Sequence, residues 1–380
     1  MTIFPRTLFS EEHELFRDQV RRFCEAEIAP HHSQWERDRR VPKAIWEKAG
    51  QHGMLCCWVP EVYGGPEAGI LFDIIVGEEL GRIGATGPSF PLHSGIVAPY
   101  LVDFGTESVK RRYLPGMVSG EKIAAIAMTE PGTGSDLAAI RTTAVETGDG
   151  WIINGQKTFI TNGLNADVIV LACSTDRSLG SKGISLFVVD AGSKGFSRGR
   201  NLEKIGQHAQ DTAELFFTDV FVPKENLLGD PGKGFIYMMK ELAQERLITS
   251  VQCQARAEGA FETTVAYVKQ RKAFGRSIFD FQNTRFKLAE LKATLQAGRA
   301  YCDRLIELRL SGELDATQAA AGKLWHSEAL GRIVDECVQL HGGYGYMTEY
   351  PIGRAYVDAR IERIYAGTSE IMKEIIARSL

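Results

Sequence analysis

Several common functional signatures are missing from this 380-residue chain. No block of basic residues occurs and the formal net charge is only -4, so nucleic acid and anionic membranes are not expected partners. No apolar run approaches the ~18 residues that a membrane-spanning helix needs. The seven cysteines include one adjacent pair, Cys56-Cys57, but no Cys-x-x-Cys and no ligand-type spacing. That pattern predicts reduced thiols, no metal site and a cytoplasmic setting. The beginning of the chain lacks a basic-then-apolar targeting pattern and passes into Ser10-Glu-Glu-His13, a helix start. Gly-x-Gly-x-x-Gly and Gly-x4-Gly-Lys are absent, which removes the signatures of Rossmann and P-loop nucleotide sites. Gly195-Phe-Ser-Arg-Gly199 does match the nucleophile elbow of hydrolases, Gly-x-Ser-x-Gly. That elbow requires a strand before its serine and a helix after it. The following residues, Arg200 to Lys204, lack helical apolar spacing, so a chance match is expected.

What is present divides by periodicity into three blocks, and a chain this long predicts more than one core. Residues 1–121 alternate helical stretches with Pro and Gly punctuation. Leu15, Phe16, Val20, Phe23 and Ile28 recur at helix spacing, and Pro30 is expected to stop that helix. Pro42 can open the next one, and Thr106 can cap another before Glu107. Residues 122–228 carry short strand-like runs at Ile123–Met128, Ile152–Ile153, Val168–Leu171, Ile184–Val189 and Leu215–Phe217, separated by turn dipeptides. They predict a small β barrel or sandwich rather than a parallel βαβ domain. Residues 229–380 return to long helical patterns: Phe235 to Lys272, Phe281 to Leu310 and Asp315 to Leu340. The expectation is an α+β multidomain fold ending in an up-and-down four-helix bundle.

Three Gly-rich segments interrupt these patterns. The first, Met128-Thr-Glu-Pro-Gly-Thr-Gly-Ser-Asp136, sets Pro131 beside Gly132 and Gly134, which permit positive φ, so backbone N–H groups can converge on an electron-rich ligand. The others are Gln339-Leu-His-Gly-Gly-Tyr-Gly-Tyr346 and Tyr365-Ala-Gly-Thr-Ser-Glu370. In this order the three resemble the acyl-CoA dehydrogenase family, and the likeness covers essentially the whole chain.

The resemblance implies flavin adenine dinucleotide (FAD) as hydride acceptor. It places Met128, Thr129, Gly134 and Ser135 along the flavin, with Ser135 also near the acyl-CoA. Phe159, Ile160 and Thr161 resemble the segment that stacks on the ring and offers it a hydroxyl, although many relatives carry tryptophan where Phe159 stands. Read alone, Phe159 is a core residue of a strand. Arg271, Phe274 and Gln282 resemble a set that contacts the dinucleotide across a subunit interface, and the planar fork of arginine suits a pyrophosphate. Read alone, Arg271 is a solvated cation at a helix end. Gln339, Leu340, His341, Gly342, Gly343, Thr368, Ser369 and Glu370 complete the implied cofactor contacts. Ser181, Lys182, Arg246, Ala366 and Gly367 are implied substrate contacts.

Many relatives place the catalytic glutamate just before the Gly-Thr of the third segment. Here that position is Ala366, which cannot accept a proton. The long-chain and isovaleryl-type branches resemble this chain more, because there a helix supplies the base at the position of Glu245 in Ala243-Gln-Glu-Arg-Leu247. Phe235, Met238, Met239 and Leu242 form an apolar stripe that Glu245 continues. Desolvation there would raise its pKa and make it a better base near neutrality, with Arg246 pulling the other way. A charged helix face is the alternative reading, and Glu241, one turn earlier, is the fallback. The resemblance implies dehydrogenation of an acyl-CoA to the trans-2-enoyl-CoA, with electrons leaving through an electron-transfer flavoprotein, in a homotetramer built as a dimer of dimers. The rivals are an oxygen-using oxidase or monooxygenase on the same fold and a catalytically inactive member.

Overall fold

The computed structural model describes residues 5–380. The first block is helical: α1 (Glu11–Phe23), α2 (Ala29–Asp38), α3 (Lys43–Gln51), α4 (Ile70–Arg82), α5 (Ala98–Phe104) and α6 (Glu107–Ser119). Ser10 opens α1 with a capping box closed by His13, and the Thr106 hydroxyl accepts from Val109 N–H at 3.3 Å to cap α6. Pro30 does not stop the first helix. A π turn at Cys24–Ile28 links α1 to α2, and Pro30 lies in the first turn of α2. There the missing N–H costs little, because first-turn donors lack intrahelical partners.

The middle block contains β1 (Ala124–Ala127), β2 (Thr143–Glu146), β3 (Gly150–Thr161), β4 (Val168–Ser174), β5 (Ile184–Asp190), β6 (Phe196–Asn201), β7 (Thr212–Pro223) and β8 (Leu227–Leu228). The strands run β6-β7-β3-β2-β4-β5-β8, with β1 parallel to β4. A single register pair, Thr143 with Ser174, joins the β6-β7-β3-β2 half to the other. The two halves share one core that includes Trp151, Ile153, Leu215, Leu171 and Phe187. Strands β4 and β5 are also covered on their second face, where Val168, Val170, Leu186 and Val188 pack with Tyr100, Tyr113 and Met117 of the first block. Burial on both faces explains why these runs are apolar without alternation. The serine of the elbow-like motif, Ser197, lies within β6 at the sheet edge, and no helix follows it.

The third block is dominated by α7 (Gly234–Gln270, 37 residues). A short hairpin follows, β9 (Lys272–Ala273) with β10 (Arg276–Ser277). Next come α8 (Gln282–Leu310), α9 (Ala316–His341), α10 (Pro351–Ala359) and α11 (Ser369–Ala377). The three long helical stretches expected are α7, α8 and α9, of 37, 29 and 26 residues. The remaining faces of α7 are covered by α4 and α10, because α7 is apolar on more than one side, with Met238, Leu247, Val251, Cys253 and Val268 all buried.

Candidate active site

Two irregularities of the sheet create the first part of the site. Where β3 pairs with β7, the register shifts between Lys157 and Ile160. A bulge of this kind re-aims side chains, and Phe159 is thrown outward at φ 60° with 67% of its surface exposed. It is therefore not a core residue. Beside it, the loop after β1 is held by Lys157, whose fully buried ammonium donates to Met128 O at 2.9 Å and Glu130 Oε1 at 2.8 Å. Glu130 also accepts from the N–H groups of Arg141 and Thr142. Burial opposes its charge, but Lys157 and these bonds hold its carboxyl below the usual range. Thr158 N–H donates to Thr129 O at 2.9 Å, which fastens the loop to the bulge.

Met128, Thr129, Phe159 and Thr161 thus share one neighbourhood with the exposed Gly134 and Ser135. Ile160 points into the sheet core, leaving only its backbone for a ligand. Gly132 and Gly134 do not take the positive φ expected of them. A Cβ at either would meet nothing within 4 Å, so the loop is open at both glycines. An exposed ring flanked by hydroxyls and clear backbone suits the isoalloxazine of FAD, whose face takes an aromatic and whose edge takes N–H and O–H donors.

The second part lies where α7, α9 and the turn before α11 meet. Glu245 is only partly accessible, and its carboxylate forms no hydrogen bond or ion pair with a described residue. Burial pushes its pKa up to about 7, against the opposing charges of Arg246 and Lys323. Arg246 is buried, its Nε unpartnered, and desolvation lowers its pKa despite Glu245. Ala366 and Gly367 take consecutive left-handed conformations, φ 54° and 94°, and the N–H of Ala366 donates to no described residue. Lys323 is fully buried on α9 and donates to Gly367 O at 2.6 Å. Arg246 Nη2 would lie 3.9 Å from a Cβ at Gly367. A carboxylate poised near neutrality, a buried guanidinium and a free backbone donor therefore converge, the set that proton abstraction beside a carbonyl needs. Thr368 caps α11, whereas the Ser369 hydroxyl is committed to Glu328 at 2.9 Å. Ser181 and Lys182 sit against the turn that opens α7, where a Cβ at Gly232 would meet Lys182 O at 2.5 Å.

The other expected contacts gather at the far end of α7. Arg271 lies over the Tyr344 ring at 5.2 Å. Tyr267 stacks on His341 at 4.1 Å, and its hydroxyl donates to His341 O at 3.2 Å. Gly342 and Gly343 are exposed beyond them, as are Gln339 and Gln282, and Phe274 is 94% exposed. Along one straight helix, the 26 residues from Glu245 to Arg271 span ~39 Å. Sequence reasoning missed Lys157, Glu130 and Lys323. The signal for Lys323 was available, because it stands seven residues before Leu330 on the apolar stripe of α9. A cavity of about 300 Å³ between α4, α7, α9 and α10 is lined by none of the expected site residues. Among the described residues no metal-type cluster of His, Cys, Asp and Glu occurs, and no helix is long and apolar enough to cross a membrane.

Comparison with known proteins agrees with this fold. Three family models match in order: acyl-CoA dehydrogenase N-terminal domain at residues 10–121, middle domain at 125–220 and C-terminal domain at 232–380. The mitochondrial long-chain specific acyl-CoA dehydrogenase of Mus musculus is 48% identical, over 99% of this chain and 88% of its own. A crystal structure of acyl-CoA dehydrogenase from Geobacillus kaustophilus superposes with TM-score 0.97 at 50% identity, covering 99% of both chains. A glutaryl-CoA dehydrogenase from Mycobacterium smegmatis in complex with FADH2 superposes with TM-score 0.91 at 26% identity, covering 98% of this chain and 95% of that one. Fold and relatives agree that this chain belongs to the acyl-CoA dehydrogenase family of FAD-dependent oxidoreductases.

Proposed function

We propose that this chain converts an acyl-CoA thioester to the trans-2-enoyl-CoA, with Glu245 removing the α-proton. The observation that carries the assignment is the unpartnered carboxyl of Glu245, held near neutrality beside the Ala366–Gly367 turn. When bound, FAD supplies the acceptor for the β-hydrogen. Phe159 would flank its ring, while Thr129, Ser135 and Thr161 would offer hydroxyls to its edge. The free N–H of Ala366 would polarise the thioester oxygen, which acidifies the α-carbon, and Arg246 adds positive charge on the same side. Ser181 and Lys182 would hold the CoA portion. Electrons would then pass to an electron-transfer flavoprotein.

Arg271, Phe274, Gln282, Gln339–Gly343 and Thr368–Glu370 complete the cofactor contacts. Because ~39 Å of helix separates Arg271 from Glu245, the reading requires a second chain to bring its Arg271 cluster to the first chain's ring. A homotetramer built as a dimer of dimers satisfies this. Domain boundaries at 121/122 and 228/229 follow the helix-to-strand and strand-to-helix changes. Seven buried, unpaired cysteines support a reducing compartment, the cytoplasm. The long-chain specificity of the mouse relative supports a longer acyl group.

The test is anaerobic titration of the purified flavoprotein with acyl-CoAs of graded length and branching. Bleaching at one equivalent per site supports the reading, and an unbleached spectrum with every thioester refutes it. Steady hydrogen peroxide release in air, as fast as reduction of an artificial acceptor, would instead identify an oxidase.

A further inference from the structure

The two parts of the candidate site stand on different blocks of the chain, and one buried carboxylate lies between them. Glu362 is fully buried in the short turn Arg360–Arg363 that follows α10. Its Oε1 accepts from Arg256 Nη1 of α7 and from Gln207 Nε2, the latter at 3.4 Å. Its Oε2 accepts from the Cys253 thiol at 3.5 Å. A carboxylate taken wholly out of water needs such partners to stay ionised. Burial opposes the charge on Arg256, and Glu362 leads the groups that raise its pKa nonetheless.

On one side Glu362 leads to the Ala366 turn. Ile361 O accepts from the N–H groups of Ile364 at 2.8 Å and Tyr365 at 3.2 Å. The backbone beside the anchored carboxylate is therefore bonded up to the residue before Ala366. Ala366 then takes φ 54°, a conformation that a residue with a side chain keeps only where its surroundings impose it. Lys323 pins the far side of the turn through Gly367 O at 2.6 Å. Glu362 anchors the near side.

On the other side Glu362 leads to the sheet. Gln207 lies in the loop joining β6 to β7, buried and at φ 50°. Its N–H donates to Asp358 Oδ1, and its Nε2 is shared between Asp358 O and Glu362 Oε1, each at 3.4 Å. Gly206 comes so close to α10 that a Cβ there would meet Val357 O at 2.6 Å. At the end of the same loop Asp211 O accepts from Asn162 N–H at 3.2 Å, and Asp211 Oδ1 accepts from Leu164 N–H at 3.0 Å. The next residue, Thr212, is the register partner of Thr161. The loop thus ties the segment carrying Phe159 and Thr161 to Glu362.

We propose that Glu362 is a positioning residue for the reaction. Its carboxylate holds the turn that presents the Ala366 N–H and, through Gln207, sets that turn against the Phe159–Thr161 segment. This rests on the Ala366 N–H polarising the thioester. Proton and hydride leave adjacent carbons, so the carbonyl must be placed against the ring as well as against the base. An error of ~1 Å in such placement can cost about a hundredfold in rate.

The experiment separates positioning from stability. Glu362→Met removes the joint and strands the Arg256 charge. Glu362→Met combined with Arg256→Met removes the joint but strands nothing, so it should recover most of the lost melting temperature. Infrared spectra of a bound trans-2-enoyl-CoA with an isotope-labelled thioester carbonyl report the turn directly, because a hydrogen bond to that oxygen lowers its stretching frequency. Single-turnover flavin reduction by acyl-CoA is followed in parallel on the FAD-loaded proteins. In both variants the carbonyl band should move back toward its solution position and reduction should fall about tenfold or more. A double variant that recovers reduction together with melting overturns the proposal, since the carboxylate would then serve stability alone. So does a parental carbonyl band in both variants. If the double variant does not fold, Gln207→Met decides, because it cuts the link and leaves the Arg256 pair intact. It should slow reduction about threefold or more, and a parental rate overturns the joint. An unshifted carbonyl in the parent would instead refute the Ala366 N–H as the polarising donor, and the joint with it, a result distinct from unaltered variants of a parent that does shift the band.

Discussion

Lys323 and Gly367 are joined by a 2.6 Å hydrogen bond from a fully buried ammonium on α9 to a carbonyl in the left-handed turn before α11. Burial and Arg246 disfavour that ammonium, whereas Cys253, Glu362 and Glu245 favour it. The bond does two things. It fixes the turn that exposes the Ala366 N–H, and it places a positive charge near the carboxyl of Glu245.

Replacement of Lys323 by methionine keeps the volume but removes both effects. Flavin reduction at saturating acyl-CoA should fall at least about tenfold, because the N–H proposed to polarise the thioester carbonyl is no longer held in place. Loss of a nearby positive charge raises a carboxyl pKa, so the acid limb of the rate profile should move to higher pH. Stopped-flow reduction measured between pH 5.5 and 9 checks both effects. An unmoved limb would deny that Lys323 tunes Glu245.

Glu245 itself gives a prediction with a fixed sign. As the proposed base it would act ionised, so reduction should rise with pH through about 7 and then level. Glu245→Gln should slow reduction by about 10²–10⁴-fold. Stability should respond in the opposite sense. The folded carboxyl titrates above its unfolded counterpart, so the folded state loses stability as pH rises from the unfolded value through about 7. Glu245→Gln removes that loss and should melt a few degrees above the parent at pH 8, with little difference near pH 4.5. Equal melting shifts at both values would contradict the burial of this charge.

The sequence disclosed the long helices and the doubly buried strands more readily than the site. The stretch from Phe235 to Lys272 carries no proline, and Val168–Leu171 is apolar without alternation, so local chemistry alone specifies each. Pro30 misled because a π turn, invisible in composition, lets a proline sit in the first turn of a new helix. Phe159 reads from the residues alone as core, and the structure exposes it instead. Its outward direction comes from a register shift between β3 and β7, strands that are far apart along the chain. Lys157 and Lys323 were overlooked for the converse reason. Lysine is ordinarily a surface residue, and only the fold shows which carbonyl and carboxylate oxygens receive these two.

The Lys157–Glu130 pair, 2.8 Å apart and buried, fastens the first Gly-rich loop to the sheet. Removing one partner of such a pair strands the other charge, at a cost of about 3–5 kcal/mol. Lys157→Met should therefore lower the urea midpoint and release FAD during gel filtration, whereas the double replacement Lys157→Met with Glu130→Gln should recover part of the stability. Full FAD retention in the single variant would show that the loop holds its shape without this anchor.

By the family resemblance Ala366 stands at the position of an alternative glutamate base, and its turn lies beside Arg246 and Lys323, both of which act on Glu245. A carboxyl introduced at 366 should approach the same substrate carbon. Ala366→Glu alone should raise the pKa of Glu245 through like-charge repulsion and slow the enzyme near pH 7. Combined with Glu245→Gln, it should restore measurable bleaching that Glu245→Gln lacks. If the combined variant stays as inactive as Glu245→Gln, the two positions do not face a common carbon.

Arg271 follows the C-terminal end of α7 and Glu245 lies ~39 Å back along that helix, so a shared site makes a sharp demand on mixed assemblies. Suppose one chain carries Glu245→Gln and the other Arg271→Ala, each weakly active alone. In a two-fold dimer of unlike chains, one site receives both defects and the other receives neither. Random mixing makes half of the dimers unlike, so overall activity should recover to about one quarter of the parental value. If each chain instead built its whole site, both defects would stay within their own chains and mixing would recover nothing. Co-expression with two affinity tags isolates the unlike dimers. These should reach about half the parental reduction amplitude at the parental rate, and an amplitude no greater than that of the unmixed variants would place Arg271 in a site of its own chain.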